Sequence, residues 1–371
     1  MKIPRPIAIV AAISASAASL LLAESAMAQI SLAPPGIKPP HETPAARPGA
    51  KPHRIVKRPA THAAEKPHAV NKTSAPPPTA PAAAATPASN DPNVDLVYGA
   101  YQRGDYKTAF DLAMVRAKAG DPKAMTMLGV LYSAVYGIPL DDAEAAKWYQ
   151  RASDAGDREA MFELAMMRME GRGGPVDKQA AVKLLASAAK LGEPNAAYNL
   201  ALLYIAGDTL PRDVKRAAEL LRQAADAGLP EAEYGLATFY RDGTGVPKNL
   251  EESVQLLQRA AIAGNVEAEV EYAIALYNGT GTLKNRPAAV DLLRKAARQG
   301  NPIAQNRLAH VLVTGQGAPM NKIEGLKWHL IARARGRGDL FLDEALAQLS
   351  PADRAKVEAE AKRWLGVKDL P

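Results

Sequence analysis

From Asp121 onward, apolar residues recur at three- and four-residue spacing in blocks separated by polar, glycine-rich breaks. That spacing draws one apolar stripe along each of a series of amphipathic helices. The blocks keep register with glycines standing 36 residues apart: Gly120, Gly156, Gly192, Gly228, Gly264, Gly300 and Gly336. A fixed period of this length marks stacked supersecondary units, each burying its apolar face against its neighbours. Taken as the 36 residues ending at a glycine, six complete units run over 121–336.

Within a unit the recurring residues have mechanical roles. Asp121, Asp157, Asn265 and Asn301 stand first, as N-caps of a helix A, with Pro122, Pro194, Pro230 and Pro302 in its first turn. Alanine follows at Ala124, Ala160, Ala196, Ala232, Ala268 and Ala304, and four residues on come Leu128, Leu164, Leu200, Leu236, Tyr272 and Leu308. Small residues there let neighbouring helices approach closely. A turn such as Gly243-Thr-Gly-Val-Pro247 ends helix A, because glycine supplies positive φ and proline bars continuation. Asp141, Asp177, Asp213, Asn249, Asn285 and Asn321 then cap a helix B. That helix is expected to bury Trp148, Leu184, Leu220, Leu256, Leu292 and Trp328, with an alanine four residues later, and to end at the unit's terminal glycine.

The pattern Ala-x3-Leu-Gly-x-Leu-Tyr, Gly-x-Gly-Val-Pro, Ala-x2-Trp, Ala-Ala-x2-Gly resembles the Sel1-like repeat, a relative of the tetratricopeptide repeat, and it recurs six times in phase. The resemblance implies an all-α fold, a right-handed α-solenoid of antiparallel helix pairs with helix A on the inner face. Residues 92–120, with Ala100-Tyr-Gln-Arg-Gly-Asp-Tyr-Lys-Thr-Ala109, read as a degenerate leading half-repeat, and 337–371 as C-terminal capping helices. Stacking physics also asks for caps, since end units otherwise expose apolar faces. The resemblance further implies a non-catalytic adaptor or regulator of the bacterial envelope; relatives are associated with envelope signalling, exopolysaccharide control and assembly of surface machinery.

Positions that vary between units are free to carry function. The helix-A stripe changes from Lys123, Met127, Val130 in the first unit to Glu159, Glu163, Met166, Glu170 in the second and Asn195, Asn199 in the third. Later units place Glu231, Glu271, Arg307 and His310 on it, and beside it stand Phe162, Tyr198, Tyr234, Arg241 and Tyr277. Rigid aromatics, amides and scattered charges suit an extended protein or peptide ligand. The candidate partner site is therefore Asn195, Tyr198, Asn199, Glu163, Phe162, Tyr234, Arg241, Glu271, Tyr277 and Arg307, with Asn195, Tyr198, Asn199 and Tyr234 at its centre. In the competing reading the aromatics are inter-repeat core and the acids simply solvated.

The N-terminal region is different material. Lys2 and Arg5, an apolar run over 7–23 and Ala26-Met27-Ala28 predict a secretory signal peptide, residues 1–28, and hence a periplasmic protein. The alternative is an uncleaved inner-membrane anchor, since the run is near the shortest that spans a bilayer. Residues 29–91 are dense in Pro and Ala and predict a disordered linker. They hold eight Lys or Arg against three acids, so most of the chain's formal charge of +7 belongs to them. A flexible basic segment such as Lys51-Pro-His-Arg-Ile-Val-Lys-Arg58 suits an anionic envelope polymer or membrane surface rather than nucleic acid. The second functional reading is thus an envelope-tethered positioning module; the bland one is a solvated spacer with a reach of roughly 40–50 Å.

Candidate chemistry is thin. The chain has no cysteine, which excludes disulfides, thiol nucleophiles, thiolate metal sites and a lipidated N-terminal cysteine. Some bacterial members of the resembled family carry a β-lactamase assignment, and Ser187-Ala-Ala-Lys190 fits Ser-x-x-Lys, but no Ser-Asp-Asn or Lys-Thr-Gly accompanies it. His41, His53, His62 and His68 fall in the linker without close ligand spacing, and His329 occupies a position that is Tyr149 or Leu185 in other units, so it reads as packed. The expectation is no catalytic residue, no metal site and no cofactor.

Overall fold

The computed structural model describes residues 95–134 and 138–370. The predicted signal peptide and linker, 1–28 and 29–91, lie outside the described residues. Among the described residues there are 16 α-helices and no strand. A short leading pair, α1 (Leu96–Gln102) and α2 (Tyr106–Lys118), precedes six A/B pairs. The A helices are α3 (Pro122–Ser133), α5 (Arg158–Glu170), α7 (Pro194–Ala206), α9 (Pro230–Asp242), α11 (Val266–Asn278) and α13 (Pro302–Thr314). The B helices are α4 (Asp142–Asp154), α6 (Lys178–Lys190), α8 (Val214–Asp226), α10 (Leu250–Ile262), α12 (Arg286–Arg298) and α14 (Lys322–Arg333). Two further helices, α15 (Leu340–Ala347) and α16 (Pro351–Leu365), close the C-terminal end against α14.

From α1 to α14 each helix packs on its predecessor and its successor, which is the connectivity of an α-solenoid. The core lies between pairs. The six helix-A alanines are at most 2% exposed, and Ala152, Ala188, Ala224, Ala260, Ala296 and Ala332 on helix B are fully buried. Of the expected helix-B core residues, Trp148, Leu220, Leu256 and Trp328 are buried, whereas Leu184 and Leu292 are half-buried. The next position in the chain is the steadier core site: Tyr149, Leu185, Leu221, Leu257, Leu293 and His329 are all buried. Residues one apart on a helix point about 100° apart, so the stripe is centred nearer this second position.

Capping follows the sequence closely. All six helix-B caps accept a hydrogen bond from a backbone N–H in the first turn. On helix A, Glu193 caps α7 in place of Asp or Asn, and Leu229 provides no side-chain cap, leaving Pro230 to start α9. The period glycines sit just beyond the helix-B caps, at Gly156 one residue past Ala155, with positive φ.

Two features tie the A–B turn down. In every unit the N–H of the helix-B cap donates to the carbonyl twelve positions into the unit, from Tyr132 to Leu312, at 2.8–3.1 Å. The second turn glycine also packs directly against the preceding unit: a Cβ on Gly245 would overlap the Val214 carbonyl, and one on Gly281 that of Leu250. These glycines therefore serve close approach as well as positive φ.

Candidate functional site

The exposed edge of helix A is built by difference. Packing fixes its alanines and leucines, and the intervening side chains form a strip running from α3 to α13. The structure puts Glu163, Asn195, Tyr198, Tyr234, Arg241, Glu271 and Arg307 on this strip, all half-buried. Phe162, Asn199 and Tyr277 lie in the packed interior, 6–7% exposed. The Asn199 amide donates to the Asn195 carbonyl at 2.8 Å, and the Tyr277 hydroxyl donates to the Gln316 carbonyl at 3.1 Å.

Two electrostatic neighbourhoods divide the strip. Toward the N-terminal end Glu159, Glu163, Glu170 and Glu193 influence one another, and Glu163 makes no hydrogen bond or ion pair among the described residues. Burial, reinforced by the Glu159 charge, pushes the Glu163 carboxyl up to about 7. Toward the C-terminal end Arg241 reaches Glu271 at 3.3 Å and its neighbour Asp242 at 2.9 Å. Tyr234 lies within the field of Glu271 and Arg241, and burial raises its phenol pKa. Tyr198, further back, is pushed up to about 12 by burial. Arg307 has no ion pair among the described residues; burial lowers its pKa, while Glu271 and Asp339 oppose that.

Beyond the residues the sequence singled out, a cavity of about 130 Å³ opens on the same strip at its N-terminal end. Val97 and Tyr98 of α1, Arg116 of α2, Met127 and Val130 of α3 and Glu159 of α5 line it. The sequence marks the α3 and α5 residues as stripe positions, but reads α1 and α2 only as a degenerate leading half-repeat. Also beyond the sequence reading are Glu233 and Glu269, charged side chains that are 5% and 0% exposed. Arg259 answers Glu233 at 2.9 Å and Lys295 answers Glu269, each from the helix B of the same unit. The signal was available: Glu and Arg or Lys appear at these two positions together in two consecutive units.

Ser187 lies exposed on α6 with its hydroxyl donating to the Lys183 carbonyl at 3.0 Å, a backbone partner and not a general base. Among the described residues, no three His, Asp or Glu side chains converge as metal ligands. No helix among them is long and apolar enough to cross a membrane.

Helix pairs stacked at constant period, with constant caps and variable exposed edges, define an α-solenoid repeat protein. The Sel1 repeat family matches residues 122–157, 158–193, 194–229, 230–265, 266–301 and 302–336, more than half of the chain, and the chain belongs to that family. It is similar to c5321, a protective antigen present in uropathogenic Escherichia coli strains displaying an SLR fold, with 27% identity and a TM-score of 0.63. That match covers 72% of this chain and 60% of the antigen, so the chain spans less than two thirds of the antigen's length. It is also similar to a Sel1 repeat protein from Oxalobacter formigenes, with 28% identity and a TM-score of 0.57, over 64% of this chain and 98% of the other. No curated protein matches the sequence.

Proposed function

We propose that this protein is a non-catalytic adaptor of the bacterial cell envelope that binds a protein or peptide partner along the helix-A strip. One observation carries the reading: the strip holds half-buried tyrosines beside charges that the fold itself leaves partly uncompensated, Glu163 and Arg307 among them. Rigid aromatic anchors flanked by oriented charges are what a repeat surface offers a chain laid across it. Phe162, Asn199 and Tyr277 act from beneath, holding the shape of the strip. Export rests on the signal-peptide pattern of 1–28.

The test is crosslinking capture from cell envelopes with the tagged protein, beside Tyr234→Ala, Arg307→Ala and a chain lacking residues 29–91. A discrete protein captured by the wild type and by the deletion, but lost from both point variants, supports the adaptor. Capture that needs 29–91 and ignores Tyr234 and Arg307 replaces it with a tethered positioning module whose ligand meets the basic segment.

A further inference from the structure

The 130 Å³ cavity at the N-terminal end of the strip has a composition that selects its occupant. Its floor is apolar, formed by Val97, Met127 and Val130. Its rim is charged, and every cation on it is already engaged. Arg116 holds Asp95 at 2.9 Å and also bonds Asp121, while Lys123 holds Asp157 at 2.8 Å and stands 4.0 Å from Glu159. Two rim cations thus face four carboxylates, and Glu163, one turn along α5 from Glu159, adds a fifth; the neighbouring Arg158 and Arg172 are already taken by Glu193, Asp142 and Glu170.

The volume excludes a drug-sized or nucleotide-sized ligand, which needs roughly 300 Å³ or more. An anion is excluded by the surplus of carboxylate. An aliphatic group alone would fill the floor but leave the rim uncompensated. A long basic side chain satisfies both parts: its methylene stem lies on Met127 and Val130, and its charged head meets Glu159 at the rim, with Glu163 one turn further along α5 adding its field.

We propose that this cavity seats a lysine or arginine side chain of an extended peptide, so that the partner segment of the helix-A strip is basic at this end. The proposal rests on the peptide-binding reading of the strip and adds the chemistry of one anchor. The strip also gives the segment a direction, because the opposite end presents Arg307.

The test is fluorescence anisotropy of the full chain with a labelled ten-residue peptide of alternating Ala and Lys. Matched peptides carry norleucine or Glu in place of Lys. The Lys peptide is expected to bind with a salt-dependent affinity, and the norleucine and Glu peptides to bind at least about tenfold more weakly. Glu159→Gln with Glu163→Gln should cost about tenfold, whereas Glu219→Gln with Asp291→Asn, exposed acids on the B helices α8 and α12 away from the strip, should leave affinity unchanged. Equal binding of the norleucine peptide overturns the proposal, as does an equal loss in both double variants, which signals diffuse attraction. Circular dichroism of each variant checks that the helices are intact. The two readings fail separately: a captured partner that depends on Tyr234 but not on Glu159 and Glu163 keeps the adaptor and sinks the basic anchor.

Discussion

Lys123 on α3 meets Asp157 at 2.8 Å, and the same carboxylate is the N-cap of α5, accepting from the Ala160 N–H at 2.9 Å and from the Thr126 hydroxyl at 3.1 Å. One buried side chain thus starts a helix and fastens the preceding unit to it. Burial raises the Asp157 pKa, but the hydrogen bonds from Lys123, Ala160 and Thr126 outweigh it and hold the group below the usual carboxylate range.

Asp157→Ala should therefore destabilise by about 2 kcal/mol, chiefly the lost cap, since the exposed Lys123 turns to water and Thr126 keeps its bond to the Pro122 carbonyl. Asp157→Asn keeps the cap and should cost about 1 kcal/mol. Since the folded pKa is depressed, this stabilisation is present above the unfolded value near 4 and is lost as pH falls through the folded one. Urea unfolding of Asp157→Asn and wild type over a descending pH series measures it; a gap that does not narrow as pH falls through the folded pKa contradicts the linkage.

The pair of buried Glu269 and half-exposed Lys295 makes an asymmetric prediction. Glu269 is fully buried and also accepts from the Gln299 amide at 3.2 Å. Lys295→Ala leaves the carboxylate short of its cation and should destabilise by about 2 kcal/mol, whereas Glu269→Met, which removes the buried charge, should stay within about 1 kcal/mol of wild type. Comparable losses in both would mean that the pair itself stabilises the fold.

These residues show where sequence reading reached and where it stopped. The helix pairs, their caps and their alanine contacts were legible because a repeat prints the same packing constraint six times, as at Ala124 through Ala304. Glu233 and Glu269 were not, because periodicity assigns a face and cannot see that an opposite charge on the paired helix makes burial tolerable. The candidate strip was legible in outline as the variable positions. Its division into interior and edge was not: Phe162 shares its repeat position with Tyr198 and Tyr234, and Tyr277 shares one with Arg241, yet Phe162 and Tyr277 are buried and the others half-buried, a difference set by neighbouring side chains that register does not encode.

Glu163 predicts a pH effect of the opposite sign. Its folded pKa, about 7, lies above the unfolded value near 4.3, so the folded chain holds an extra proton between them and loses stability as pH rises through that window. Glu163→Gln should gain on the order of 2 kcal/mol at pH 8 and close to nothing at pH 4. Urea midpoints of the two proteins at both values read the difference; a constant offset would place the effect in packing instead of charge.

Within the strip, edge and interior should separate by phenotype. Tyr234→Ala and Arg307→Ala remove half-buried edge groups and should lower partner capture with little change in unfolding midpoint. Asn199→Ala removes a buried amide bonded to the Asn195 carbonyl and should cost about 1 kcal/mol of stability, altering capture only through the fold. Capture lost with Asn199→Ala at unchanged stability would move the contact surface one row inward.

At the C-terminal end, His329 fills a core position that is tyrosine or leucine in the other units, and it is fully buried. Its Nε2 meets Asp343 of α15 at 2.8 Å, and Arg333 meets the same oxygen at 3.2 Å. Its Nδ1 is buried without a hydrogen-bond partner, a cost of about 1–3 kcal/mol in general. Leucine at this position restores the apolar contact and abolishes that penalty, while Asp343, partly exposed, keeps Arg333. His329→Leu is therefore expected to raise the urea midpoint by the equivalent of about 1 kcal/mol, and His329→Ala, which opens a cavity, to lower it by at least about 2 kcal/mol. Hydrogen exchange in α15 separates the two terms: the leucine variant should exchange α15 faster than wild type while the rest of the array is slower, because the bridge to Asp343 is what the histidine adds. If His329→Leu lowers the midpoint, the bridge outweighs the unpaired nitrogen, and the end of the array is held by its histidine and not in spite of it.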